Sequence, residues 1–158
     1  MDTRPSWDEY FLRIAQLTSQ RSNCIKRKVG SIIVKNNRIL SLGYNGVPSG
    51  MKNCFEGGCK RCFNQWKTDK SHKGKDLDLC ICLHAEENAM LFLSQNEMEN
   101  STIYVTLFPC ISCFKKIIQC KIKKVVYIEE YNDEMKNVVL ELINELKEKI
   151  IIEKINIF

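Results

Sequence analysis

Four residues have the types and spacing to do hydrolytic chemistry. His84 and Glu86 stand two apart in "HAEENAMLF", and Cys110 and Cys113 form a C-x-x-C pair in "FPCISCF". An imidazole and two thiolates are three N/S donors for a tetrahedral zinc ion, which leaves a fourth position for water, as in catalytic rather than structural sites. Glu86 can reach that water without ligating the metal, and can take and return its proton while the metal lowers the water's pKa. A C-x-x-C pair alone also fits a redox couple or half of a structural site. It is the combination with His84 and Glu86 that selects hydrolysis.

The remaining cysteines form a second set. The chain has nine Cys but only two His. With no export pattern in "MDTRPSWDEY" and no apolar run of membrane-spanning length, such a count argues for metal ligands or free thiols in the cytosol rather than disulfides. Cys54, Cys59, Cys62, Cys80 and Cys82 crowd a polar stretch rich in Gly and Lys, and four of them would close a structural zinc site. Cys24 and Cys120 stand alone and read as small buried hydrophobes.

The elements that must position these residues follow from pattern. With 158 residues, 44% of them hydrophobic, the chain suits one domain with a real core. A net charge of +5 is spread along it, compatible with an anionic substrate but not diagnostic of nucleic acid. "PSWDEYFLRIAQLTSQRS" reads as a helix opened by a Ser6/Glu9 capping box, with Trp7, Tyr10, Phe11, Ile14 and Leu17 on one face. "VGSIIVKNNRILSLGY" reads as a hairpin turning at Asn36 and Asn37. Residues 45 to about 79 show no sustained period and read as a long loop that something else must order. Then come helix 84–95, strand 102–107, helix 111–120, strand 124–129, helix 133–149 and strand 151–158. The helix 133–149 stripe of Met135, Val138, Val139, Leu142, Ile143 and Leu146 is core packing. This order predicts an α/β fold: a three-layer α-β-α sandwich around a mixed five-stranded sheet, with a Cys-rich zinc-binding insertion at about 45–82.

The pattern H-x-E…P-C-x-x-C, matched by His84, Glu86, Pro109, Cys110 and Cys113, is the signature of zinc-dependent nucleobase deaminases. Together with "RPSWDEYF", "VGSIIV", "GYNGVPSG", "CLHAEENA", "IYVTLFPCISC" and "KIKKVVYIEEY", it gives nearly the whole chain a resemblance to the cytidine deaminase superfamily. "GYNGVPSG" points within it to the deoxycytidylate (dCMP) deaminases. The resemblance implies a cytidine deaminase-like fold, a catalytic zinc on His84, Cys110 and Cys113, and Glu86 as the catalytic proton shuttle. It implies hydrolysis of dCMP to dUMP and ammonia, supplying dUMP for thymidylate synthesis. Asn45 would hydrogen-bond the sugar, Tyr131 would lie near the phosphate, and the Lys26–Lys28 run could attract it. A second zinc is implied near Cys54 and Cys82, which favours Cys54, Cys59, Cys62 and Cys82 as ligands with Cys80 as the alternative. A homo-oligomer, commonly a hexamer, and regulation by dCTP and dTTP belong to the same family picture.

Two other readings use the same residues. One is a deaminase of another substrate: a free nucleoside, a pterin or a tRNA base. The other is a zinc-ribbon nucleic-acid module, which would gather Lys60, Arg61, Trp66, Lys67, Lys70, Lys73 and Lys75 into a basic, aromatic face.

Overall fold

The structure is a computed structural model that describes residues 1–68, 76–130 and 133–157, apart from the side chain of Asp133. Tyr131, Lys70, Lys73 and Lys75 therefore lie outside the described residues.

Helix α1 (Trp7–Ser19) starts where Ser6 caps it, its Oγ accepting from the Glu9 N–H at 3.1 Å. The Glu9 carboxylate turns instead to Arg13, at 2.7 Å. The buried face of α1 is Phe11, Leu12 and Ala15, whereas Trp7, Tyr10 and Leu17 are exposed, so the expected stripe is rotated. The cause is the close approach of strand β1 (Gly30–Lys35): a Cβ on Gly30 would sit 2.0 Å from the Ala15 carbonyl oxygen. A small residue on each side lets helix and strand meet, and this selects the face.

Strand β2 (Arg38–Tyr44) returns antiparallel to β1 through Asn36 and Asn37, both left-handed with φ of 52° and 57°. Asn tolerates that region, and two such residues suit the tight hairpin turn. The segment from 45 to 82 is not the unstructured loop expected. It contains short 3-10 turns at Cys54–Glu56 and Leu77–Leu79, and a nine-residue helix α2 (Lys60–Thr68) that buries Cys62 and Gln65.

The expected helix 84–95 is a short α3 (Ala85–Met90), followed by a Ser94-capped turn of helix α4 (Gln95–Met98). Then come β3 (Thr102–Leu107), α5 (Ile111–Gln119), β4 (Lys124–Glu129), α6 (Asp133–Asn144) and β5 (Ile151–Lys154). The sheet order is β2-β1-β3-β4-β5, with β1 antiparallel to both its neighbours and β3, β4 and β5 parallel. Helices α5 and α6 make the crossovers that parallel strands require. The α-β-α sandwich with a mixed five-stranded sheet is thus as expected.

Two apolar layers hold the sheet. Phe11 and Leu12 pack with Ile32, Val34, Tyr104 and Val126 on one face. On the other, Ala85 and Ala89 of α3, Phe114 and Ile117 of α5, and Val139 and Ile143 of α6 cover Ile33, Ile103, Val105 and Val125. Each large side chain so buried contributes about 1.5–3 kcal/mol. Of the α6 stripe, Val139 and Ile143 are buried and Val138 is exposed. This register brings the start of β1, the end of β2 and the end of β3 to one edge of the sheet, where Gly30 pairs with Tyr44 and Ser31 with Val105. Ligands of open α/β sheets gather at such carboxyl ends.

Candidate active site

Two helix starts meet at that edge. His84 is the N-cap of α3, and Cys110 is the N-cap of α5 with Cys113 in its first turn. Gly43 of β2 lets α3 lie directly on the sheet, since a Cβ there would fall 2.2 Å from the Ala85 carbonyl oxygen. Asn88 of α3 donates to the Tyr44 carbonyl at 2.8 Å. Glu87 joins the two helices, accepting from the His84 backbone N–H at 3.0 Å and from Lys116 Nζ of α5 at 2.9 Å. The sequence reading missed Glu87 and Lys116; the H-x-x-E spacing of an N-terminal cap was the available signal.

His84 Nδ1 lies 3.5 Å from Cys110 Sγ and 3.3 Å from Cys113 Sγ. A tetrahedral zinc about 2.0–2.1 Å from nitrogen and 2.3 Å from sulfur sets such N···S separations at roughly 3.5 Å, so the donors fit the ion. All three donor atoms lie within 4.8 Å of one another. A hydrogen bond from Cys113, with further help from His84, holds the Cys110 thiol down to about 4, giving the thiolate that a metal needs. His84 is raised to about 9, chiefly by its hydrogen bond to Cys110. Its own hydrogen bond with Cys110, and then burial, push the Cys113 thiol up. Protons and metal therefore compete for this trio, and metal affinity falls as pH falls.

Glu86 is 4% exposed, and one carboxylate oxygen, Oε2, is 3.8 Å from Cys113 Sγ. Burial raises its pKa from 4.5 to about 7 by disfavouring the charged form. Between those two pH values the folded chain holds more protons than the unfolded one. The cost of a buried charge is absent below 4.5, grows as pH rises and is complete above 7. Glu86→Gln is accordingly expected to stabilise the fold above neutrality by at most about 3 kcal/mol, a bound that metal charge beside the carboxylate reduces. Below the ordinary carboxylate pKa it should give no gain. Urea unfolding of both proteins at an acid and an alkaline pH checks this; a difference that does not change with pH would place the carboxylate in a wet site.

His84, Glu86 and Cys110 line a cavity of about 370 Å³, bounded by Lys26, Arg27, Asn45, Arg61, Trp66 and Phe108 among others. That volume suits a small ligand. The Asn45 side chain spends itself on backbone: Oδ1 accepts from the Val29 N–H and Nδ2 donates to the Arg27 carbonyl, each at 2.8 Å. It clamps the segment carrying Lys26 and Arg27 against the cavity. Lys26 Nζ reaches Gln65 Oε1 of α2 at 2.6 Å.

The second cysteine set departs from expectation. The thiols of Cys54, Cys59, Cys62 and Cys82 are not the group that converges. Two four-thiol groups form instead: Cys24, Cys54, Cys62 and Cys82, and Cys59, Cys62, Cys80 and Cys82. Cys24 is therefore no isolated apolar residue, and Cys80 is no spare. Cys62 and Cys82 belong to both groups, their sulfurs within 4.8 Å of those of Cys24 and of Cys80. Cys80 Sγ is 3.5 Å from Cys62 Sγ and 3.8 Å from Cys59 Sγ. None of the nine cysteines is in a disulfide.

A buried carboxylate thus stands beside a His/Cys/Cys donor set at the carboxyl ends of the strands of an α-β-α sandwich. The chain belongs to the cytidine and deoxycytidylate deaminase family, whose zinc-binding region matches residues 5–129. A deoxycytidylate deaminase of Schizosaccharomyces pombe is 50% identical over 130 residues, 82% of this chain and 39% of that protein. The chain thus spans about two fifths of that relative's length. The deoxycytidylate deaminase of Mycobacterium phage D29 is 39% identical over 128 residues, 81% of this chain and 98% of that one. Among solved structures, the dCMP deaminase of cyanophage S-TIM5 in complex with dCMP and dUMP aligns with a TM-score of 0.67 and 32% identity, covering 98% of this chain and all of the other.

Proposed function

We propose that the protein hydrolyses dCMP to dUMP and ammonia, and so supplies dUMP for thymidylate synthesis. The observation that carries this reading is Glu86, buried yet 3.8 Å from Cys113 in a three-donor site that opens onto the cavity. Relatives named deoxycytidylate deaminase at 39–50% identity support the choice of substrate. Zinc on His84, Cys110 and Cys113 would lower the pKa of a water towards neutrality and offset charge developing on oxygen. Glu86 accepts a proton from the water and hands it to pyrimidine N3, then takes the remaining proton from the hydroxyl now on C4 and delivers it to the amino group. The C4–O bond forms, the C4–N bond breaks, and ammonia leaves. A carboxyl that burial brings to about 7 is matched to both halves of that transfer.

Lys26 and Arg27 at the cavity supply positive charge for a 5′-phosphate and Asn45 holds their backbone in place; a phosphate role for Tyr131 rests on the family resemblance alone. Zinc held by the loop thiols orders the segment from 54 to 82. The homo-oligomer and the response to dCTP and dTTP belong to the same proposal; exposed Leu91 and Phe92 beside α3 support an interface there. Nine free thiols suit the reducing cytosol. Among the described residues, no helix is long and apolar enough to cross a membrane.

Ammonia release from dCMP, deoxycytidine, CMP and a cytosine-containing RNA tests the substrate. Loss of charge-assisted phosphate contacts at about 1.5–3 kcal/mol each predicts that deoxycytidine is poorer than dCMP by roughly 10²-fold in kcat/KM. Asn45→Ala should lower kcat/KM on dCMP and leave the chain folded. Equal rates on dCMP and deoxycytidine would replace the nucleotide reading with a nucleoside one.

A further inference from the structure

Six thiols gather where a single structural zinc needs only four. Cys54, Cys59 and Cys62 are buried, and the cluster they form with Cys82 contains only Val47 as an apolar member, with Ile25 packed against it. Among the described residues, sulfur is thus most of the core of this region, with Val47 and Ile25 as its aliphatic members. The two four-thiol groups share two members, Cys62 and Cys82. Each group then has two thiols of its own: Cys24 and Cys54 on one side, Cys59 and Cys80 on the other.

We propose that these six cysteines hold two zinc ions in one cluster, with the Cys62 and Cys82 sulfurs bridging both ions. The proposal deepens the reading of the loop thiols as a structural zinc site, and rests on it. The arithmetic favours sharing: two tetrahedra that share an edge need six sulfurs, the number that converges here, whereas one tetrahedron strands two thiols, one of them the buried Cys54 or Cys59. The spacing agrees, because a zinc–sulfur bond of about 2.3 Å sets tetrahedral S···S edges near 3.8 Å, and Cys80 stands 3.5 and 3.8 Å from Cys62 and Cys59. Both Cys62 and Cys82 place their sulfurs within 4.8 Å of both outer pairs, which is what bridging ligands require. Two divalent ions on six thiolates leave a double negative charge. Arg61 Nη1 faces the bridging Cys62 Sγ at 3.7 Å, and the Ile25 backbone N–H meets Cys54 Sγ at 3.5 Å.

The cluster also explains how distant segments are held together at the cavity. Cys24 tethers the chain just before Lys26 and Arg27, Cys62 tethers α2 with Trp66, and Cys82 tethers the segment that leads to His84. Losing the metals would release three walls of the cavity at once.

The test is zinc per chain in the intact protein purified without chelator, paired with X-ray absorption at the zinc edge. Three zinc per chain are expected, with a metal–metal distance of roughly 3 Å that only edge-sharing sites give. Cys110→Ser should lower the count to two and keep that distance. Cys54→Ser and Cys59→Ser should each lose one cluster ion and the metal–metal signal, since each leaves the opposite four-thiol group intact. Two zinc per chain without the short distance would overturn the shared cluster while leaving a single structural zinc standing. One zinc per chain, with six titratable loop thiols or disulfides among them, would overturn both.

Discussion

Glu86→Gln is expected to lower kcat on dCMP by roughly 10³–10⁴-fold with zinc content unchanged, the range of a positioned acid–base group combined with loss of proton relay. The amide keeps the volume and one acceptor oxygen of the carboxylate in a site only 4% exposed, so packing survives. What it loses is the ability to move one proton from water to N3 and a second from the C4 hydroxyl to the leaving amine. Because Glu86 is not one of the three converging donors, metal binding should persist. Zinc analysis and dCMP turnover on the same preparation check both halves. Loss of zinc would make the glutamate a ligand; full activity would move the proton transfer to another group.

The second large effect is expected from Cys110→Ser. It removes one of three donors from a site whose sulfur and nitrogen atoms are already at ligand spacing, so one zinc per chain should be lost and dCMP turnover should fall to background. The fold should hold, because Cys110 caps α5 and Ser is a good N-cap. The thiol cluster uses other residues and should keep its metal. Cys59→Ser should do the reverse, lowering activity only through loosening of the segment from 54 to 82. Circular dichroism, metal content and turnover separate the two patterns. A Cys110→Ser protein that retained its full zinc complement and turned over dCMP would remove this thiol from the site.

The residues that chemistry makes local were readable in the sequence. His84 and Glu86 share one helix start, Cys110 and Cys113 another, and a two-residue or three-residue spacing survives into three dimensions. The Asn36–Asn37 turn and the strand–helix alternation were legible for the same reason: short-range sterics and periodicity decide them. Cys24 was not legible. It lies 30 residues before Cys54, and only the antiparallel return of β2 brings the two segments together. Helix α2 was hidden because it buries Cys62 and Gln65 against sulfur rather than a Leu or Ile stripe. On α1, aromatic size points to the wrong face, because Ala15 is the residue that lets Gly30 approach. Asn45 has a type that suits a substrate contact, yet its amide serves the backbone of residues 27 and 29.

The most direct measurement of the central claim is product formation from dCMP by the zinc-replete protein. The account predicts dUMP and ammonia in equal amounts, abolished by a zinc chelator and restored by added zinc. Zinc-replete protein that left dCMP unchanged while deaminating another base would contradict it.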